Sequence, residues 1–494
     1  MSLISVNNLT FGYDGSLKNI FENVSFNIDT DWKLGLIGRN GKGKTTFLKL
    51  LLGKYEYQGA ISKNVEFDYF HFEVKNKERM AIEIVNEIAP NVEDWEIIRE
   101  LNLLNTDTEV LYRSFNLLSG GEQIKILLIS LFLKGNNFLL IDEPTNHLDI
   151  ETRNNLVNYL EKKKGFILVS HDRNFLDKVV NHIISINNTN IEIQQGNFSS
   201  WKENKNRQDN FEKIQNERLQ KDINRLEIAS KNCAKWSNEA EKTKNKKYNS
   251  ETTIDKGYIG HKADKMMKKS KVMEQRIEKA INEKTNLLKN IEVNDTLKII
   301  PLKSNKNPLI FAHNLQIKYS KETIFNPITF EVNNGDRVAL IGKNGIGKSS
   351  ILKLILGEEL QYNGEFMVAN DLKISYVSQS TEDLKGNLRT FAYDNKINES
   401  IFKAMLVKMG LSQFDFDTNI QDMSEGQNKK VLIAKSISEQ ANIYIWDEPL
   451  NYIDILTREQ IEDAILNYNP TIIFVEHDEK FIGKVATKII NLVK

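Results

Sequence analysis

The sequence predicts an α/β protein in which two tandem phosphate-binding domains are joined by a long antiparallel helical hairpin. Three observations predict this. The pattern Gly-x-x-x-x-Gly-Lys-[Ser/Thr] occurs twice, at residues 38–45 and 342–349. Landmarks of the two halves recur at a nearly constant offset: Tyr13 and Tyr319 at 306, Lys44 and Lys348 at 304, Asp142 and Asp447 at 305, His171 and His477 at 306. Between the halves, residues 198–295 hold no proline and are crowded with Lys and Glu. A period this constant marks a duplicated domain. The boundaries read as 1–197, 198–300 and 301–494.

Composition bounds the answer. A chain of 494 residues, 40% apolar, fits two or three domains with real cores. Its net charge is zero, but the charge is unevenly placed: residues 201–300 carry 24 Lys and Arg against 16 Asp and Glu, leaving 43 against 51 elsewhere. A middle of net +8 between flanks of net −8 points to a polyanionic partner for the middle alone. One cysteine, Cys233, excludes an internal disulfide and fits a reducing cytoplasm. The first residues lack a basic stretch followed by an apolar run, so no signal peptide is expected. The longest apolar run, 126–133, is far below a membrane span.

Each copy reads as strands alternating with helices, hence a mainly parallel sheet with ligand loops at its C-terminal edge. In copy one the apolar run 34–37 is a strand that enters the glycine-rich turn, and 45–52 a helix. The glycines let backbone N–H groups wrap phosphates, and the helix adds its positive end. Predicted contacts are Gly38, Asn40, Gly41, Gly43, Lys44, Thr45 and Thr46, with Gly342, Asn344, Gly345, Gly347, Lys348, Ser349 and Ser350 in copy two. Lys44 and Lys348 are expected on the β/γ-phosphates, Thr45 and Ser349 on Mg²⁺. One match alone could be a turn that binds nothing; two, each after a strand and before a helix, are not.

The strands 138–141 and 443–446 end in Asp142-Glu143-Pro144 and Asp447-Glu448-Pro449. Asp142 and Asp447 suit the metal, and Glu143 and Glu448 suit the attacking water. Two further strands, 166–169 and 471–475, lead into Ser170-His171-Asp172 and Glu476-His477-Asp478. Leu118-Ser119-Gly120-Gly121-Glu122-Gln123 and Met423-Ser424-Glu425-Gly426-Gln427 each open an apolar helix.

In the middle, Leu219, Ile223, Leu226, Ser230 and Cys233 recur at spacings of four and three, as do Met266, Ser270, Met273, Ile277 and Ala280. Such seams pair helices as an antiparallel coiled coil, each arm reaching roughly 60 Å. Residues 244–260 break the pattern and include Gly257 and Gly260; residues 242–271 hold 10 basic against 3 acidic side chains. A basic tip on a rigid hairpin favours RNA, the alternative being a solvated spacer.

With these motifs, both copies resemble the ATP-binding-cassette (ABC) ATPases. The resemblance implies two ABC-type domains hydrolysing ATP with Mg²⁺. It places Ser119, Gly120 and Gly121, and Ser424 and Gly426, on the γ-phosphate held by the opposite copy. It makes His171 and His477 the switch histidines, Tyr13 and Tyr319 the adenine-stacking aromatics, and Gln379 the metal- and water-contacting glutamine, with Phe72 at the aligned place in copy one. In a head-to-tail sandwich within one monomer, site 1 joins Lys44, Asp142 and Glu143 to the signature of copy two. Site 2 joins Lys348, Asp447 and Glu448 to that of copy one. Site 1 therefore lacks the glutamine and faces Glu425, which predicts unequal sites unless the departures are drift.

The run from Asp142 to Asp149, twin cassettes, no membrane span and a charged linker narrow the resemblance to the ABC-F family of ribosome-associated ATPases. Matched spacings of 76 residues from Gly43 to Ser119 and 77 from Gly347 to Ser424 leave no room for the arm of many housekeeping members. No C-terminal extension is expected either. The chain looks most like the Gram-positive antibiotic-resistance branch. This implies a cytoplasmic protein without a transmembrane partner. It would bind the 70S ribosome at the E site, near 23S rRNA and the P-site tRNA, and dislodge lincosamides, pleuromutilins or streptogramin A. A housekeeping translation factor of the same family is the alternative. Lys244, Lys246, Lys247, Tyr248, Lys256, Tyr258, Ile259 and Lys262 are the predicted tip contacts.

Overall fold

The computed structural model describes residues 3–14, 19–70, 74–135, 137–146, 148–187, 190–244, 265, 268–269, 271–273, 275–281, 296–319 and 322–493. The chain divides into two compact units, Met1–Trp201 with Asn294–Lys494, and Lys202–Val293.

In the first unit each cassette is built on a buried sheet. The cassette-one order is 66–70, 137–142, 166–169, 33–37, 182–187, 190–195, parallel except for the last antiparallel pair. The cassette-two order is 374–377, 443–447, 472–475, 337–341, 488–491, parallel throughout. Central strands such as Phe166–Val169 and Ile472–Val475 are buried at every position, as parallel strands covered on both faces must be. A second, antiparallel sheet in each cassette is centred on Leu3–Phe11 and Ile310–Tyr319. The phosphate-loop strand Lys33–Ile37 lies between Phe166–Val169 and His182–Asn187, so chain order reverses at its C-terminal end. That is where an open α/β sheet presents its ligand crevice.

The cassettes meet within this unit. Ile455 of cassette two packs in the main core of cassette one. The helices that follow the two histidines, Arg173–Val179 and Glu479–Val485, pack on each other. Here Arg173 meets the wholly buried Glu462, which Lys484 also reaches at 3.0 Å, while Lys480 meets Asp177 at 2.5 Å and Asn174 donates to Glu479 at 2.9 Å. Arg173 and Glu462 occupy places that the repeat gives to Glu479 and Val157, so the bidentate pair exists on one side only. Removing one partner of a buried pair costs about 3 kcal/mol. Arg173→Met should therefore lower the melting temperature of the nucleotide-free protein by several degrees in calorimetry. Arg173→Met with Glu462→Leu should recover most of it, and an unchanged single variant would show that the pair contributes nothing.

The second unit contains the arms. The helix Phe198–Lys244 runs 47 residues, about 70 Å at 1.5 Å per residue. Of the seam residues, Ile223 and Ile277 are buried, whereas Met273 is 56% exposed. It lies in an open groove with Leu226, Val272, Ile277 and Ala280, edged by Lys265, Lys268, Lys269 and Arg276. The compact unit is a few residues shorter at each end than the 198–300 read from the sequence. Phe198 belongs to the cassette-one core, and Leu297 and Ile299 to that of cassette two. Among the tip residues, Lys246, Lys247, Tyr248, Lys256, Tyr258, Ile259 and Lys262, and the side chain of Lys244, lie outside the described residues. No described helix is long and apolar enough to cross a membrane.

Candidate nucleotide sites

Each phosphate loop ends in a left-handed glycine, Gly43 at φ 93° and Gly347 at φ 98°, capping the helices Lys44–Leu51 and Lys348–Ile355. A Cβ on Gly43 would stand 2.6 Å from Ile20 Cγ2, so neither the turn nor its packing admits a side chain. Lys44 Nζ donates to Gly38 O at 2.8 Å and Asn40 Oδ1 at 3.1 Å; Lys348 Nζ donates to Gly342 O at 2.8 Å and Lys343 O at 3.1 Å. Both ammonium groups are buried and pushed below their ordinary pKa by desolvation, which nearby carboxylates partly offset. An anion is the natural partner for such charges.

The residues expected on Mg²⁺ lie against one another. Thr45 Oγ1 donates to Asp142 Oδ2 at 3.3 Å, and Ser349 bonds to Asp447. Tyr69 also donates to Asp142 Oδ2, at 3.0 Å. Asp447 Oδ1 is buried without a hydrogen-bond partner, and burial raises this carboxyl above its usual range. A cavity of about 310 Å³ opens beside it, lined by Asn344, Gly345, Gly347, Lys348, Ser349, Ser350, Gln379 and Glu448. An orphaned carboxylate oxygen, two hydroxyls, a buried ammonium and a glycine-rich wall fit a triphosphate carrying Mg²⁺.

Glu143 and Glu448 both sit at positive φ, 48° and 46°, one residue past their strands, a strained geometry that aims a side chain into the crevice. Glu143 Oε1 lies 3.3 Å from His171 Nε2, and burial, with Asp142 beside it, pushes its carboxyl up to about 8. Glu448 gathers more partners: Gln379 Nε2 donates at 3.0 Å, Asn451 Nδ2 at 2.7 Å, and His477 Nε2 lies at 3.7 Å. Burial lowers both histidines, so each imidazole is neutral near pH 7.

The signature segments are helix caps. Ser119 caps Gly120–Leu133 with Glu122, and Ser424 caps Glu425–Ser438 with Gln427, each a reciprocal capping box. At site 1 they meet the opposite loop. Asn40 Nδ2 donates to Tyr452 O at 2.7 Å, and a Cβ on Gly426 would stand 2.8 Å from that nitrogen. Burial raises the Tyr452 phenol's pKa, and the charge of Glu425, which bonds to it, adds to the rise. At site 2 the Asn344 N–H donates to Asp149, Lys343 meets Glu151 at 2.8 Å, and Gly120 has open space beside it. Arg153, four residues past Asp149, donates to His477 O at 3.1 Å across the interface and meets Asp172 at 3.2 Å. Tyr13, 45% exposed, is set edge-on against Phe11 and Tyr55, with its hydroxyl 2.8 Å from Thr46 Oγ1. Phe72 and the side chain of Tyr319 lie outside the described residues.

Several site residues escaped the sequence reading: Asn451 on Glu448, Arg153 across the interface, and the buried Lys429 and Glu476. The last two had a signal, because the repeat places Ile124 and Ser170 opposite them.

Comparisons with known proteins agree with this geometry. The family model described as ABC transporter matches residues 21–146 and 325–451. The ATP-binding protein Uup of Buchnera aphidicola is 29% identical over 99% of this chain and 80% of its own. The ribosome protection protein VmlR of Bacillus subtilis is 28% identical over 96% of this chain and 84% of its own. Among solved structures, the archaeal ribosome recycling factor aABCE1, crystallised with ribosomal stalk protein aP1, superposes with a TM-score of 0.62 at 18% identity, covering 98% of this chain and 87% of that one. At that identity the likeness establishes the fold.

Proposed function

The chain belongs to the ABC transporter family through two ATPase domains that bind and hydrolyse ATP, and from that premise we propose that it is a ribosome-protection ATPase of the ABC-F type. It acts from the cytoplasm on the 70S ribosome, entering at the E site. Its linker works toward the peptidyl-transferase centre, contacting 23S rRNA and the P-site tRNA and dislodging lincosamide, pleuromutilin or streptogramin A drugs. The observation that carries this reading is the likeness to a ribosome protection protein over 96% of the chain, linker included. The net charge of +8 on residues 201–300 supports it.

At each site the phosphate loop and its lysine hold the triphosphate, and Thr45 with Asp142, or Ser349 with Asp447 and Gln379, hold Mg²⁺. The bound ion supplies charge neutralisation on the phosphates. Glu448, held by Gln379 and Asn451, orients the attacking water, with neutral His477 beside it. Glu143 and His171 take these roles at site 1.

The test is drug susceptibility of a sensitive bacterial host expressing the chain. The expected result is raised tolerance to the three drug classes and none to drugs acting elsewhere. Unchanged tolerance, with a growth defect on deletion from its own host without drug, would favour a housekeeping translation factor instead.

A further inference from the structure

Lys429 lies on the signature helix of cassette two, one turn beyond Glu425, and is 2% exposed. A buried ammonium needs acceptors, and this one donates to two carbonyls, Ser378 O at 3.0 Å and Glu448 O at 3.2 Å. Ser378 directly precedes Gln379, whose amide donates to Glu448 Oε2 at 3.0 Å. One side chain thus ties the backbone of the Gln379 loop to the backbone of Glu448. Burial lowers its pKa, and Glu476, then Glu448, partly offset that.

Cassette one has Ile124 and Ser170 at the places of Lys429 and Glu476. The fold therefore does not need a charge at either position, and only cassette two carries one at each. The helix carrying Lys429 has a second allegiance. Its first turn, at Gly426, stands against Asn40 of the opposite phosphate loop.

We propose that Lys429 is a positioning residue for site 2. It holds Glu448 and Gln379 in register and, riding on the helix presented to site 1, transmits the state of that site to the hydrolytic residues of the other. The proposal rests on the reading of Glu448 as the residue that orients the attacking water.

The experiment measures kcat and KM for ATP by phosphate release, with thermal melting, on the full chain carrying Lys429→Met, Lys429→Arg or Glu448→Gln. A displaced active-site backbone slows chemistry more than it weakens binding, so Lys429→Met should lower kcat about tenfold with KM little changed. Lys429→Arg, which keeps the charge and the donors, should restore most of the rate. Glu425→Gly should change turnover in the parent and lose that effect in the Lys429→Met background, the signature of coupling in a double-mutant cycle. Parent-like turnover in Lys429→Met with Glu448→Gln inactive would overturn the proposal alone. Parent-like turnover in Glu448→Gln would overturn the site reading beneath it. Should the Met variant fail to fold, Lys429→Gln takes its place; a lowered kcat supports the proposal and an unchanged one overturns it.

Discussion

Replacing both Glu143 and Glu448 by Gln should cut steady-state ATP hydrolysis by about 10²–10³-fold, the size expected when a positioned carboxylate is lost from water activation. ATP binding should survive, because the phosphate loops, Lys44 and Lys348 are untouched. The doubly substituted chain should then remain ATP-loaded with its cassettes closed, and sediment with ribosomes when ATP is present. Recovery of the protein only in the ribosome-free fractions would refute this cycle. The single variants should differ. Glu448 is gripped by Gln379 and Asn451, whereas Glu143 is met by His171, through its ring at 3.3 Å and its backbone N–H at 3.4 Å. Glu448→Gln should therefore cost more turnover than Glu143→Gln. Equal losses would mean either that the sites are equivalent or that each blocks a shared cycle, and single-turnover rates separate those two cases.

The second large effect concerns the linker. Deleting residues 244–260 should abolish drug protection while leaving ATP turnover near that of the parent. The compact unit Lys202–Val293 contains none of the nucleotide motifs, so the deletion takes away no residue of a nucleotide motif. What it removes is a basic, aromatic-bearing segment, and base stacking is worth about 1–3 kcal/mol per ring. Minimum inhibitory concentrations, read beside a ribosome-binding assay, check the result. Protection retained by a deletion variant that still binds ribosomes would make the hairpin a spacer and assign the work to the cassettes.

Much of this was legible in the chain because nucleotide chemistry demands particular residue types at fixed separations. Gly43, Lys44, Thr45 and Asp142 could be named from spacing, and Lys44, Thr45 and Asp142 meet around one crevice. The core strands were legible for the same kind of reason, since a strand buried on both faces is a short uninterrupted apolar run. Contacts made by isolated charged residues were not. Arg173 meets Glu462 between the copies and Lys429 meets the carbonyls of Ser378 and Glu448 within copy two; neither cation belongs to a motif, and a charged residue in isolation reads as surface. They become visible only where the repeat is compared with itself and an apolar or hydroxyl side chain in one copy faces a charge in the other. The edge of the linker is hard to read for a related reason. Leu297 and Ile299 stand in a stretch too short to show a period, and only packing reveals that both are buried.

The paired helices Arg173–Val179 and Glu479–Val485 impose a constraint on motion. The cassettes are held here by Arg173 with Glu462, on the neighbouring helix, and by Lys480 with Asp177, none of which belongs to a phosphate loop or a signature segment. Loss of nucleotide therefore removes nothing that holds this line of contact together. The cassettes therefore share a joint that owes nothing to bound nucleotide, set apart from contacts such as Asn40 with Tyr452 and Arg153 with His477 that lie at the crevices themselves.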